Sequence, residues 1–203
     1  MSSLLLIRHA ETALAGTFCG HTDPPLNERG RAQAAALVRK LDGTSIDAIY
    51  TSDLRRACET AQALAGPRGL RAQPQSALRE IHFGQWEALR WAQIETLDPA
   101  FAALWIKEFP AIAAPGGESI AQFENRVLGA VRDLAGELLA SPRRRIAIVT
   151  HAGVLRLVLE RLCGVAPEAA WERSRAYCSV IPLEVPDGVI AGTSAIRVHW
   201  KPR

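Results

Sequence analysis

Leu4-Leu5-Leu6-Ile7-Arg8-His9-Ala10-Glu11-Thr12 is the stretch on which the reading of this chain turns. Four β-compatible residues stop abruptly at a cation beside an imidazole. A strand ending in Arg8-His9 brings an anion clamp and a nucleophile to the mouth of a sheet. The pattern recurs twice: Asp47-Ala48-Ile49-Tyr50-Thr51-Ser52 leads into Asp53-Leu54-Arg55-Arg56, and Arg145-Ile146-Ala147-Ile148-Val149-Thr150 leads into His151-Ala152-Gly153. Each apolar run ends in a potential phosphate ligand and is followed by helix-like sequence.

Working outward, a polar loop from Gly16 to Leu26 follows the first strand. Asn27 is a good N-cap for a helix to about Leu41, with Ala34, Leu37, Val38 and Leu41 on one face. The second strand, near Asp47 to Thr51, passes through Asp53, a plausible cap, to a helix ending near Ala65. Gly66-Pro67-Arg68-Gly69 breaks the chain before a short strand near Leu70 to Gln73. Residues 86–114 carry Trp86, Trp91, Phe101, Trp105 and Phe109 in irregular helical phase, which fits one or two short helices forming a flap ended by Pro115-Gly116-Gly117. Ser119 with Gln122 makes a capping box for a long helix to about Leu139. A strand Ile146 to Val149, a helix Gly153 to Leu162, and strands near Ser179 to Val185 and Ile196 to Trp200 complete the pattern. Alternating strands and helices predict an α/β fold, a three-layer α/β/α sandwich on a mostly parallel central sheet, with the small helical flap inserted over the site. The expectation is one domain spanning 1–203.

At 203 residues, 48% hydrophobic and 22% charged, the composition is that of an ordinary globular protein. The net charge is +3, from 24 basic and 21 acidic residues, a near balance that argues against a nucleic-acid partner. Arg143-Arg144-Arg145 reads as a solvated loop. Cys19, Cys58, Cys163 and Cys178 show neither metal-ligand nor redox spacing and are expected as free thiols. No apolar run approaches the roughly 20 residues of a membrane helix. The expectation is a cytoplasmic protein with no membrane partner; oligomeric state is not legible.

In open α/β sheets, ligands bind beyond the carboxyl ends of the strands. Arg8, His9, Arg56 and His151 all fall at or just past such ends. Helices starting near Asp53 and Ala152 aim free N–H groups at the same place. Two arginines and two histidines facing helix N-termini form a strong anion site, for which phosphate is the obvious occupant. Histidine is also a nucleophile toward phosphorus, and the arginines would stabilise charge on the equatorial oxygens.

At these residues the sequence resembles the histidine phosphatase superfamily, also called phosphoglycerate mutase-like. The resemblance lies in Arg8-His9-Ala10-Glu11-Thr12, Ser52-Asp53-Leu54-Arg55-Arg56-Ala57, the stretch Leu78 to Glu87, and Thr150-His151-Ala152-Gly153-Val154-Leu155-Arg156. It implies that His9 attacks phosphorus and forms a phosphohistidine. Glu80 would protonate the leaving alkoxide and then activate water. Arg8, Arg56 and His151 would hold the phosphoryl oxygens, with Arg55 on the surface, and no metal or other cofactor would be needed. The substrate is expected to be a small-molecule phosphate ester, bound by Arg8, Arg56, His151 and Ala152, with His21 a further contact from its loop. Two positions depart from the family pattern. Ala10 stands where Gly is usual, limiting positive φ, and Ala15 stands where many members carry Asn.

Glu11 and Thr12 are expected to shape the turn after the strand, and His82 to be peripheral. Trp86, Trp91 and Trp105 are candidates either for anchoring the flap or for stacking on a substrate ring; Trp171 and Trp200 read as structural. Within the family, the stretch Phe18 to Leu26, the run Phe83 to Glu87, Pro115 to Ser119, the Val198 to Pro202 tail and the short length look most like the α-ribazole phosphatase branch. Those enzymes remove the 5′-phosphate of α-ribazole phosphate or cobalamin phosphate during assembly of cobalamin's nucleotide loop. The alternatives are a broad phosphomonoesterase of the same mechanism, a phosphoglycerate mutase, and a catalytically silent phosphoryl-binding module.

Overall fold

A computed structural model describes residues 2–140, 144–185 and 199–200. Strands β1 (Ser2–Arg8), β2 (Ala48–Ser52), β3 (Ala72–Gln75), β4 (Arg145–Thr150), β5 (Val180–Val185) and β6 (His199–Trp200) form one sheet in the order β3-β2-β4-β1-β5-β6. The first four are mutually parallel, whereas β5 runs antiparallel to both β1 and β6.

The unbroken apolar reading of β1 and β4 follows from burial on both faces. Leu4, Leu6, Ile146 and Ile148 pack on one side against α5 (Ile120–Ala140) and α6 (Ala152–Cys163), including Val127, Val131, Leu134, Leu155 and Val158. Leu5, Ile7, Ala147 and Val149 point the other way, toward Leu37 of α1 (Glu28–Lys40) and Ala57, Ala61 and Leu64 of α2 (Arg55–Ala65). These two cores make the molecule a three-layer α/β/α sandwich. Two of the three caps read from sequence are present. Asn27 accepts the Gly30 N–H at 2.7 Å, and the Gln122 N–H donates to Ser119 Oγ at 3.3 Å while the Ser119 N–H donates to Gln122 Oε1 at 3.0 Å.

Three elements differ from expectation. Asp53 does not cap α2, because its carboxylate is bridged by Arg79 through two 2.7 Å bonds; the Arg55 N–H instead donates to Asp23 of the polar loop at 2.6 Å. The short strand lies at Ala72–Gln75 rather than 70–73. Its Pro74 is opposite Thr51 on a sheet edge, where a missing donor is tolerated. A further helix, α7 (Pro167–Ser174), escapes the periodicity reading because only Ala170 and Ser174 are buried in it. Of the expected terminal strand, His199–Trp200 is observed, and the remainder from Ile196 lies outside the described residues. Arg143 is likewise outside them, whereas Arg145 belongs to β4, where its N–H donates to Asp47 and its side chain to Ser3.

Residues 86–114 contain α3 (Trp91–Leu97) and α4 (Pro99–Glu108). These pack on a separate aromatic cluster centred on Trp86, Ile94, Ala102 and Ala114 rather than on either sheet core. Among the described residues no helix is long and apolar enough to cross a membrane.

Candidate active site

Parallel register assembles the site. Arg8 is opposite Thr150 across the β1–β4 ladder, so the residues that follow, His9 and His151, emerge side by side. The His9 N–H donates to the Thr150 carbonyl at 2.8 Å, and the two imidazole centroids are 5.0 Å apart. On the other flank of β4, Thr51 is opposite Val149, which brings Ser52 Oγ to 2.8 Å from His151 Nε2. The carboxyl ends of three adjacent parallel strands thus converge where a ligand is expected.

His9 Nδ1 lies 2.7 Å from the carbonyl of Ala10. A carbonyl only accepts, so this network assigns the proton to Nδ1 and leaves Nε2 with its lone pair. Arg56 Nε–H donates to Nε2 at 3.3 Å. Burial, reinforced by the charges of Arg56 and Arg8, holds His9 well below the ordinary imidazole range, so the ring is neutral. Ala10 needs no glycine: positive φ outside glycine occurs, among the described residues, only at Ala88 and Cys178. The Ala10 N–H donates to Thr60 Oγ1 at 3.0 Å.

Arg56 is fully buried behind His9. Its Nη1 donates to the Thr22 carbonyl at 2.8 Å, and its Nη2 to those of Cys19 at 3.1 Å and Gly20 at 2.7 Å. Glu87 holds that loop in turn, accepting the N–H groups of Gly20, His21 and Thr22. Arg55 is on the surface, paired with Glu59. His151 is also fully buried, and burial with the Arg56 charge keeps it well below the ordinary imidazole range. Its Nδ1 has no hydrogen-bond partner among the described residues.

Glu80 is buried, with Oε2 accepting the Gly153 N–H at 2.9 Å and Oε1 the Ile81 N–H at 3.0 Å. Burial pushes its carboxyl above the usual range, against the pull of those two bonds and of the Arg56 and Arg8 charges. That shift favours the protonated form, the form able to donate. A side chain at position 153 would displace the carboxyl, since a Cβ there would lie 2.1 Å from Glu80 Oε1.

A cavity of about 540 Å³ opens in front of these groups. Its lining includes Arg8, His9, Glu80 and Ala152, the rings of Phe18, Trp91, Trp105 and Phe109, and also Arg156, Arg161 and Trp171. Arg56 and His151, both fully buried, are not part of the lining. His21 differs from expectation: it is not part of the lining, because its ring turns inward and Nε2 lies 3.1 Å from the Glu80 carbonyl. His82, read as peripheral, does line the cavity, and Trp171, read as structural, lines it while half exposed. Among the three flap tryptophans, Trp86 is the buried anchor, whereas Trp91 and Trp105 both pack in the cluster and face the cavity. The side chain of Trp200 lies outside the described residues.

Sequence reasoning missed Tyr177. The Arg8 guanidinium stacks on its ring, 4.1 Å from the centroid, and Nη1 donates to the Arg175 carbonyl; Arg8 Nε has no partner among the described residues. The only signal is topological. Antiparallel pairing of Ile7 with Val180 brings residues 177–179 back beside Arg8 and His9, and no spacing in the sequence announces it.

A neutral imidazole whose Nε2 keeps its lone pair, an arginine behind it and a buried carboxyl lining the same cavity, at the strand ends of an α/β/α sandwich, suit an enzyme that acts on anionic esters. The sequence profile of the histidine phosphatase superfamily (branch 1) matches residues 4–193, and the chain belongs to that superfamily. It is 34% identical over 170 residues to the adenosylcobalamin/alpha-ribazole phosphatase of Escherichia coli, covering 83% of this chain and 82% of that protein. Phosphoserine phosphatase 1 of Hydrogenobacter thermophilus is 30% identical over 194 residues, 94% of this chain and 90% of that one. The crystal structure of a putative alpha-ribazole-5'-P phosphatase from Escherichia coli superposes with a TM-score of 0.81 at 31% identity, covering 91% of each chain. The protein is a phosphoric monoester hydrolase.

Proposed function

We propose that the enzyme hydrolyses its substrate through a phosphohistidine on His9 and that this substrate is α-ribazole 5′-phosphate or the cobalamin phosphate containing it. The observation that carries the mechanism is the hydrogen-bond pattern of His9: Nδ1–H is held by Ala10, so Nε2 is the nucleophilic atom. Nε2 bonds to phosphorus as the ester P–O bond breaks, and the leaving oxygen takes the proton of Glu80. Water then attacks phosphorus and gives its proton to the Glu80 carboxylate, the N–P bond breaks, and phosphate leaves. As Nε2 bonds to phosphorus, the Arg56 Nε–H turns from it to a phosphoryl oxygen. Arg8 Nε and His151 Nδ1, two atoms of the site without partners among the described residues, take the others, His151 as its Nδ1–H tautomer.

The aromatic wall supports the substrate assignment, since Phe18, Trp91, Trp105 and Phe109 suit a planar benzimidazole better than a small charged leaving group. Two lining arginines are each paired, Arg156 with Glu160 and Arg161 with Glu124, which disfavours a substrate carboxylate there. A second reading, a broad phosphomonoesterase of the same mechanism, is favoured by the extended likeness to a phosphoserine phosphatase. Comparing kcat/KM for α-ribazole phosphate, phosphoserine, 3-phosphoglycerate and sugar phosphates separates the two. A clear preference for α-ribazole phosphate is expected. Equal rates across the panel would favour the broad enzyme, and inactivity throughout would refute both.

A further inference from the structure

Glu80 has to present its proton to a leaving oxygen, yet residues 80–83 belong to no helix or strand. No ladder fixes the backbone from which its side chain departs. What fixes it comes from α5. Arg126 Nη1 donates to the carbonyls of Ala77 at 3.0 Å and Arg79 at 2.8 Å, and Nη2 donates to that of Glu80 at 2.8 Å. The fork is itself held by Glu118, with Nε on Oε1 and Nη2 on Oε2, both at 2.7 Å. Glu118 also takes the His82 N–H on Oε2 at 3.3 Å, and its own N–H donates to the His82 carbonyl at 2.9 Å. One ion pair therefore grips the chain on both sides of Glu80.

We propose that Arg126, held by Glu118, is a positioning residue for the proton donor, clamping the 77–82 backbone so that the Glu80 carboxyl faces the leaving oxygen. A planar five-donor fork suits this role, because several carbonyls and a carboxylate must be satisfied at once from one side; an ammonium cannot reproduce that geometry. The pair is mostly withdrawn from solvent, with side-chain exposures of 22% and 14%, so water does not readily replace a lost contact. His21 Nε2 approaches the same Glu80 carbonyl from the opposite loop, completing the grip. Arg126 and His21 are not part of the cavity lining, whereas Glu118 is. The inference rests on Glu80 as the acid, and its test distinguishes failure of the clamp from failure of that assignment.

Proton donation matters for a poor leaving group and little for a good one. The experiment measures kcat/KM for ribose 5-phosphate and for p-nitrophenyl phosphate in wild type, Glu80→Gln, Arg126→Gln and Glu118→Gln, with thermal melts on each. Arg126→Gln is expected to lower the ribose 5-phosphate value at least about tenfold more than the p-nitrophenyl phosphate value, as Glu80→Gln does more strongly. Arg126→Lys should restore that ratio only in part. If Arg126→Gln does not fold, Glu118→Gln is read by the same ratio. A selective loss in Glu80→Gln beside a uniform loss, or none, in the folded clamp variant overturns the clamp alone. A uniform loss in Glu80→Gln overturns the acid assignment and the clamp with it.

Discussion

Two walls of one cavity are built by different physics. At the strand ends His9, Arg56 and Glu80 are each held by directed bonds to backbone groups: His9 to Ala10, Arg56 to Cys19, Gly20 and Thr22, and Glu80 to Gly153 and Ile81. In the aromatic lining Phe18, Trp91 and Trp105, backed by the buried Trp86, hold one another by ring contacts, with centroids 5.2 to 6.2 Å apart. Directed bonds fix a proton or a lone pair within tenths of an ångström, which phosphoryl transfer needs. Ring packing fixes a shape and tolerates exchange of one ring for another. On the proposed function, the floor would set the chemistry for any phosphate ester and the flap would set which ester enters.

This contrast breaks first, and most severely, at His9. His9→Ala should lower kcat/KM for p-nitrophenyl phosphate by roughly a thousandfold or more, with little change in melting temperature. Wild-type-like turnover would remove the floor's claim on the chemistry. Gly153→Ala comes next: the new methyl group meets Glu80 Oε1, so a loss of about 10- to 100-fold is expected, larger for alkyl than for aryl phosphates. In the flap, Trp105→Ala should raise KM for α-ribazole phosphate about tenfold while leaving kcat for p-nitrophenyl phosphate near wild type. A fall in kcat for both substrates would show that the flap shares in the chemistry.

The smallest effect is on stability. His9 and His151 are held below 6.5 when folded and return to the ordinary value when unfolded. Below pH 6.5 the unfolded chain binds protons that the folded one refuses, so stability is whole above that pH and declines as pH falls. Glu80 acts in the opposite sense. Its folded value is raised, so its contribution is full below 4.5 and is lost as pH rises. Melting temperature should fall by a few degrees between pH 6.5 and 5, more steeply in Glu80→Gln and less steeply in His151→Asn. A flat profile in wild type would contradict the buried neutral histidines.

The legibility of the sequence follows the same division. Arg8-His9 and Thr150-His151 were readable because a parallel strand buried on both faces is one apolar run, and the first polar residue after it marks the strand end. Asn27 and the Ser119–Gln122 box were readable because capping is local. Asp53 was misassigned because its partner, Arg79, is distant in sequence, and His21 because its ring orientation is set by the Glu80 carbonyl. Tyr177 and Arg126 were invisible for the same reason: their roles depend on antiparallel pairing of β5 and on the seat of α5. Which flap tryptophan faces the cavity was also beyond the pattern, since Trp86, Trp91 and Trp105 share one cluster and differ only in what covers them.

The central claim is that His9 Nε2 carries the phosphoryl group. It is tested by mixing enzyme with radiolabelled phosphate ester, quenching in alkali, which preserves phosphohistidine, and locating the label by peptide mass spectrometry and phosphorus NMR. Label on His9 as the Nε2 isomer, absent from His9→Ala, is the predicted result. Label on His151, on the Nδ1 atom of His9, or retained in His9→Ala would contradict it.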